Sequence, residues 1–290
     1  MKKWLIALAV TLALCVPAAA LGETVVTSFY PIYLFAMNLL DGVDGVEVHN
    51  LAAPGTGCLH DYQLSTGDMK ALSAADVFLI NGAGMENYLS FVFDALPELP
   101  VVDAAAGIEL LPDMSGEMEY NAHVWLDAGN AQIMVNNLAE GLIAALPQHA
   151  EAINENRDAY AVRLAALDEE LKIALADLPN KDIVTFHEAF PYFAKAYGLN
   201  VAAVVTNEGE NALSAYELTA LIRLIQSLNN PPLFVEPQYS DLAAKTVSAE
   251  TGAPIWTLDP CVTGPDTGVL TYYEDVMHSN LETLKAALGK

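Results

Sequence analysis

Three of the six histidines, His60, His123 and His187, and one aspartate, Asp259, each stand where an apolar or strand-like run gives way to a loop. In α/β sheets such places, beyond the carboxyl ends of the strands, are where ligands bind. Three neutral imidazoles and one carboxylate make a nitrogen-rich set of four donors. That set suits Zn2+ and, less tightly, other divalent first-row metals. Taken singly, each histidine reads as an ordinary core or surface residue; taken together, the four predict a bound metal ion.

Elements that would position these donors follow from the hydrophobic pattern. Strand-like runs at 24–29, 46–51, 77–80 and 101–102 alternate with helical patterns at 32–40 and from Ser65 onward, where Asp68 lies three residues on and can complete a cap. This βαβα rhythm predicts a parallel sheet wrapped by helices. A helix at 131–146 ends at Pro147. Then Ile153, Tyr160, Leu164, Leu167, Leu171, Leu175 and Leu178 recur at helical spacing, one apolar face of a helix of some 28 residues, about 42 Å long. Such a helix reads as a strut between two halves. A second βα series follows, with strands at 183–186, 201–205, 233–235 and 255–258 and helices at 189–197, 214–228, 242–250 and 272–288. No repeat is evident between the two series in the sequence.

Lys2 and Lys3, the apolar run from Trp4 to Val16 and the small residues Ala18, Ala19 and Ala20 read as an export signal cleaved before Leu21. Lipid tethering at Cys15 is disfavoured, because Leu14 precedes it where a small residue is wanted. No later apolar run is long enough to span a bilayer as a helix. The chain has 12 Lys and Arg against 37 Asp and Glu, a formal net charge of −25; loss of the leader with its two lysines leaves −27. That charge repels nucleic acid and anionic lipid and attracts cations, although solubility alone would also explain it.

Six segments carry a resemblance that runs in order along nearly the whole mature chain. They are HDYQLSTGDMKALSAADVFLINGAGMENYL from His60, NAHVWLD around His123, TFHEAFPYFAKAYGL around His187, NEGENALSA around Glu208, LFVEPQYS around Glu236 and IWTLDP around Asp259. Together they resemble the metal-binding solute receptors of ABC importers, cluster A-I, and within it the zinc branch. The resemblance implies an α/β fold of two Rossmann-like lobes with parallel sheets, joined by one long connecting helix, with the metal in the interlobe cleft. The expected organisation is an export signal over 1–20, an N-terminal lobe over 21–148, the connecting helix over 149–179 and a C-terminal lobe over 180–290.

By position, the resemblance makes His60, His123, His187 and Asp259 the metal ligands, two from each half. Glu208 and Glu236 are candidates to orient imidazole N–H groups. His49, His149 and His278 lack such a context and are assigned to structure or solvent. The segment 112–122 has no histidine-rich insert of the kind many zinc receptors carry. A histidine rather than a carboxylate at the third ligand position favours zinc over manganese, the alternative cargo. The implied function is capture of Zn2+ outside the cytoplasm and delivery to a membrane permease, by a monomer that is not an enzyme and does not bind nucleic acid.

Two other classes compete. A zinc hydrolase would need an open position for water and a base, and Glu188 is the one residue available for that role; it is read instead as an acid starting the following helix. A surface adhesin is distinguished only by the weak lipidation signal at Cys15. Finally, Cys58 and Cys261 are the only cysteines left after the leader, each two residues from an expected ligand, and an oxidising compartment predicts a disulfide between them.

Overall fold

The computed structural model describes residues 22–52, 59, 62–114, 118–205, 214–265 and 269–289, leaving aside the side chains of 88 and 215. His60, Cys58, Glu208 and the leader therefore lie outside the described residues.

In the N-terminal lobe β1 (Glu23–Thr27), β2 (Val46–Asn50), β3 (Val77–Ile80) and β4 (Val101–Asp103) form a wholly parallel sheet in the order β2-β1-β3-β4. In the C-terminal lobe β5 (Asp182–Thr185), β6 (Asn200–Val204), β7 (Leu233–Val235) and β8 (Ile255–Thr257) are parallel in the order β6-β5-β7-β8. The two sheets thus share one topology. Central strands are apolar on both sides because helices cover both faces. Val25 and Ile183 face a large core, and their neighbours Val26 and Val184 face smaller outer clusters, as the two-residue period requires.

Helices α1 (Tyr30–Leu39), α2 (Thr66–Ala74), α3 (Ser90–Ala95) and α4 (Ala128–Ala145) belong to the first lobe. The cap expected at Ser65 is present, with its hydroxyl accepting from Gly67 N and Asp68 N and the Asp68 carboxylate accepting from Ser65 N. The strut is α5 (Ala150–Ala176), and its stripe Ile153, Tyr160, Leu164, Leu167, Leu171 and Leu175 is buried. On one side α5 packs on α1 and α4; on the other it packs on α6 (Pro191–Tyr197) and α9 (Tyr272–Leu288). Helices α7 (Ala215–Ser227) and α8 (Leu242–Thr251) cover the outer face of the second sheet. One core therefore runs through both lobes, containing Phe35, Trp125, Tyr160, Leu164, Phe193 and Tyr273.

Polar links reinforce this junction. Arg163 on α5 donates to Glu274 on α9 at 2.9 Å and to Asn38 on α1, while the Asn38 amide donates to Leu270 O at 3.0 Å. Two outer histidines also tie elements together: His149 pairs with Glu23 at 2.8 Å, and the exposed His278 pairs with Glu170 at 3.2 Å. His49 lies on β2.

The first sheet also braces the segment carrying His123. After β3 the chain turns through Gly82, Ala83 and Gly84, all with positive φ. The side chain of Asn81 donates to Ala122 O at 2.9 Å, next to His123. Buried Glu86 holds the turn by accepting from Asn81 N at 2.7 Å and Gly82 N at 3.1 Å. Burial pushes its pKa from an ordinary 4.5 up to about 7, against the opposing hydrogen bonds of Ser28, Asn81 and Gly82. The folded chain thus holds this proton more tightly than the unfolded chain. Its favourable contribution to stability is complete below about pH 4.5 and is lost as the pH rises through about 7. Replacing Glu86 by Gln is expected to flatten that part of the pH–stability profile in thermal unfolding; an unchanged slope would show that Glu86 does not titrate with folding.

Candidate metal centre

His187 lies two residues beyond the end of β5, and Asp259 two residues beyond the end of β8. His123 departs from that pattern. It follows no strand, but precedes a 3-10 turn at Val124–Leu126 that leads into α4. Its position is fixed by the stretch before it, where Pro112 and Tyr120 form an isolated antiparallel bridge and Asn121 N donates to Leu111 O at 2.9 Å.

The fold brings His123 and His187 from opposite lobes to a ring-centroid distance of 4.9 Å, edge to face at 82°. Both are shut from solvent, at 2% and 5% exposure. Each has an oxygen opposite Nδ1: Asn121 Oδ1 at 3.2 Å for His123 and Glu236 Oε1 at 2.9 Å for His187. The Asn121 amide is oriented by two other bonds, since Oδ1 also accepts His123 N at 3.0 Å and Nδ2 donates to Glu188 O at 2.7 Å. Both oxygens can only accept, so Nδ1 is the N–H and Nε2 is the donor nitrogen that a metal would use. Trp125 packs on the His123 ring at 5.1 Å, and Tyr239 on the His187 ring at 5.6 Å.

Asp259 is half-buried and held from several sides. Its Oδ1 accepts from Cys261 N at 2.8 Å and from Gln238 Nε2 at 3.3 Å; Asn280 on α9 accepts from Asp259 N at 2.9 Å and donates to Asp259 O at 2.7 Å. Burial raises the carboxyl above the usual aspartate range, and the Cys261 and Gln238 bonds pull it back. Among the described residues no three His, Cys, Asp or Glu side chains form a metal-binding group. The structure thus joins His123 to His187, sets Asp259 on a neighbouring loop outside that pair, and does not place His60.

Of the two carboxylates expected to support the site, Glu236 is buried and bonded to His187; Glu208 falls outside the described residues. Asn121, Gln238 and Asn280 were not anticipated from sequence. Asn121 and Gln238 do lie within the segments NAHVWLD and LFVEPQYS, two residues before His123 and two after Glu236.

One expectation needs correction. Glu188 does not begin a helix: α6 starts at Pro191, whose ring suits the first turn. Instead Glu188 is buried and its Oε1 accepts Met114 N at 2.6 Å, tying the second lobe to the 110–121 segment of the first. Of the expected Cys58–Cys261 disulfide only one partner lies within the described residues: Cys261 carries a free thiol there, and Cys58 falls outside them. The Cys261 thiol is fully buried in the common core that also holds Tyr160 and Tyr273, and burial pushes its pKa well up, so it is held as a neutral thiol away from solvent.

Further bonds span the lobes around the pair. Tyr192 OH on α6 donates to Asn121 O at 2.9 Å and accepts Leu111 N at 2.9 Å, and Trp125 Nε1 donates to Pro260 O at 2.8 Å. Two open cavities of about 300 and 290 Å³ lie elsewhere, beside Gly82 and Asp103 in the first lobe and against β6 and α7 in the second.

Fold and site define a two-lobed α/β receptor whose closed cleft receives an imidazole from each side. Residues 25–287 match the family model described as ZnuA, zinc-uptake complex component A, periplasmic. The chain belongs to that family. Among curated relatives it is 34% identical over 233 residues to the iron-binding protein YfeA of Yersinia pestis, covering 79% of this chain and 74% of that one. It is 32% identical over 288 residues to the zinc-binding protein AdcA of Streptococcus pyogenes serotype M6, covering 90% of this chain but 55% of AdcA, so it spans about half the length of that relative.

Solved structures agree in fold. Zn(II)-bound AdcA from Streptococcus pneumoniae superposes with a TM-score of 0.81 at 28% identity, over 92% of this chain and 58% of that one. The binding protein FpvC of Pseudomonas aeruginosa in complex with Mn2+ gives 0.80 at 27%, over 92% and 98%. No helix among the described residues is long and apolar enough to cross a membrane.

Proposed function

We propose that the protein captures Zn2+ outside the cytoplasm and hands it to the membrane permease of an ABC importer. The observation that carries this reading is the meeting of His123 and His187 across the closed cleft, each with Nδ1 engaged so that Nε2 is the donor. His60 and Asp259 complete the ligand set. Four protein donors, three of them nitrogen, suit zinc and leave no open position for an attacking water, so the role is carriage and not hydrolysis. The acidic surface, −25 over the full chain, gathers cations toward the cleft. The protein acts as an exported monomer.

Manganese is the second cargo to be weighed, because the similar fold of FpvC is known with Mn2+. Titration of metal-stripped protein with Zn2+ and Mn2+, in competition with a chelator, separates the two. One equivalent of Zn2+ in clear preference to Mn2+ is expected, with affinity falling as the pH drops because the ligands must be deprotonated. A preference for Mn2+, or two equivalents in the cleft, would overturn the reading.

A further inference from the structure

Glu236 and Gln238 sit two residues apart in the loop after β7, and between them they serve both ligands of the second lobe. Glu236 bonds to His187 and Gln238 to Asp259. We infer that Gln238 is a specificity-determining positioning residue, which favours Zn2+ over Mn2+ by holding Asp259 to a single free oxygen. This rests on the reading of Asp259 as a metal ligand.

Asp259 Oδ1 takes two donors, Cys261 N at 2.8 Å and Gln238 Nε2 at 3.3 Å, and two hydrogen bonds engage both of its lone pairs. Oδ2 carries no hydrogen bond among the described residues. Gln238 is itself anchored, since the same Nε2 donates to Thr263 Oγ1 at 2.8 Å. The main chain of Asp259 is clasped on N and O by Asn280, which is buried in α9. Neither rotation of the carboxylate nor a shift of its backbone can then offer a second oxygen without breaking bonds already made.

One oxygen with three imidazoles gives four donors, the number zinc takes in closed sites. Manganese is better served by a larger, oxygen-rich shell, which a carboxylate supplies when both its oxygens bind. Gln238 Oε1 is buried with no partner among the described residues, a cost that a leucine of like volume would avoid. The amide is therefore poorly explained by packing and well explained by its bond to Asp259.

The test compares wild type, Gln238→Leu and Asp259→Ala, each as the whole mature chain stripped of metal. Zn2+ and Mn2+ affinities are measured by chelator competition, and the visible absorption of the Co2+-loaded protein reports coordination number. Gln238→Leu is expected to lower the ratio of Zn2+ to Mn2+ affinity about tenfold, the scale on which partners of metal ligands act. Its Co2+ band should weaken as coordination rises above four. Equal loss of both metals with an unchanged Co2+ spectrum, or no change in the ratio, would overturn the inference and leave the ligand set standing. Wild-type zinc affinity in Asp259→Ala would overturn the ligand assignment itself. If Gln238→Leu does not fold, Gln238→Asn, one methylene too short to reach Asp259, is put through the same measurements.

Discussion

Replacing His187 by Ala is expected to weaken zinc binding by about 3 kcal/mol or more, a loss of over a hundredfold. That is one ligand's share of the roughly 10–16 kcal/mol typical of closed four-ligand zinc sites. The alanine removes more than a donor. It also leaves the Glu236 carboxylate, 4% exposed, without the N–H that now meets it at 2.9 Å. Glu236→Gln keeps an acceptor for that N–H but removes the charge that strengthens the imidazole as a donor, and should cost about tenfold. His278→Ala is the control, because that exposed side chain on α9 pairs with Glu170 on α5. Competition titration against a chromophoric chelator measures all three. Zinc affinity of His187→Ala within twofold of wild type would remove His187 from the ligand set.

Replacing Trp125 by Ala is expected to lower the free energy of unfolding by about 3–5 kcal/mol and to loosen the site as well. Its ring is 0% exposed and meets Phe29 edge-on at 5.1 Å. The same ring supports His123, its Nε1–H donates to Pro260 O beside Asp259, and its carbonyl accepts from Tyr273 OH at 2.6 Å. An alanine leaves a cavity where the lobes join, and Pro260 O loses its donor. Trp125→Phe keeps most of the packing and isolates the hydrogen bond, at about 1–3 kcal/mol. Thermal unfolding with and without saturating zinc checks both. The metal should raise the melting temperature less in each variant than in wild type, since ligand stabilisation falls with affinity. Wild-type melting of Trp125→Ala would show that the two lobes do not depend on this residue.

Much of the scaffold is legible from local rules. The apolar stripe from Ile153 to Leu175 needs only a 3.6-residue period to be read as a helix, and the Ser65 cap needs only a serine with an acid three residues on. The central strands are read from β-branched and apolar runs buried on both faces. Helix starts set by proline were less legible: Glu188 looks like a first-turn acid until Pro191 is seen to open α6. The common topology of the two sheets was invisible as a sequence repeat, because topology depends on the order of elements and the packing of their faces, which many sequences satisfy.

The sequence by itself determined the donor types, the two βα series and the helix that must join them, since each is written in residues close together along the chain. Only the tertiary structure decided which donors meet. His123 and His187 are far apart in sequence and come together because one core, through Trp125, Tyr160 and Tyr273, fixes both lobes on α5. It also decided how each donor is held, by Asn121, Glu236, Gln238 and Asn280, whose roles rest on bonds across loops and lobes. The same packing places Cys261, two residues beyond Asp259, in the common core, which its spacing alone did not show.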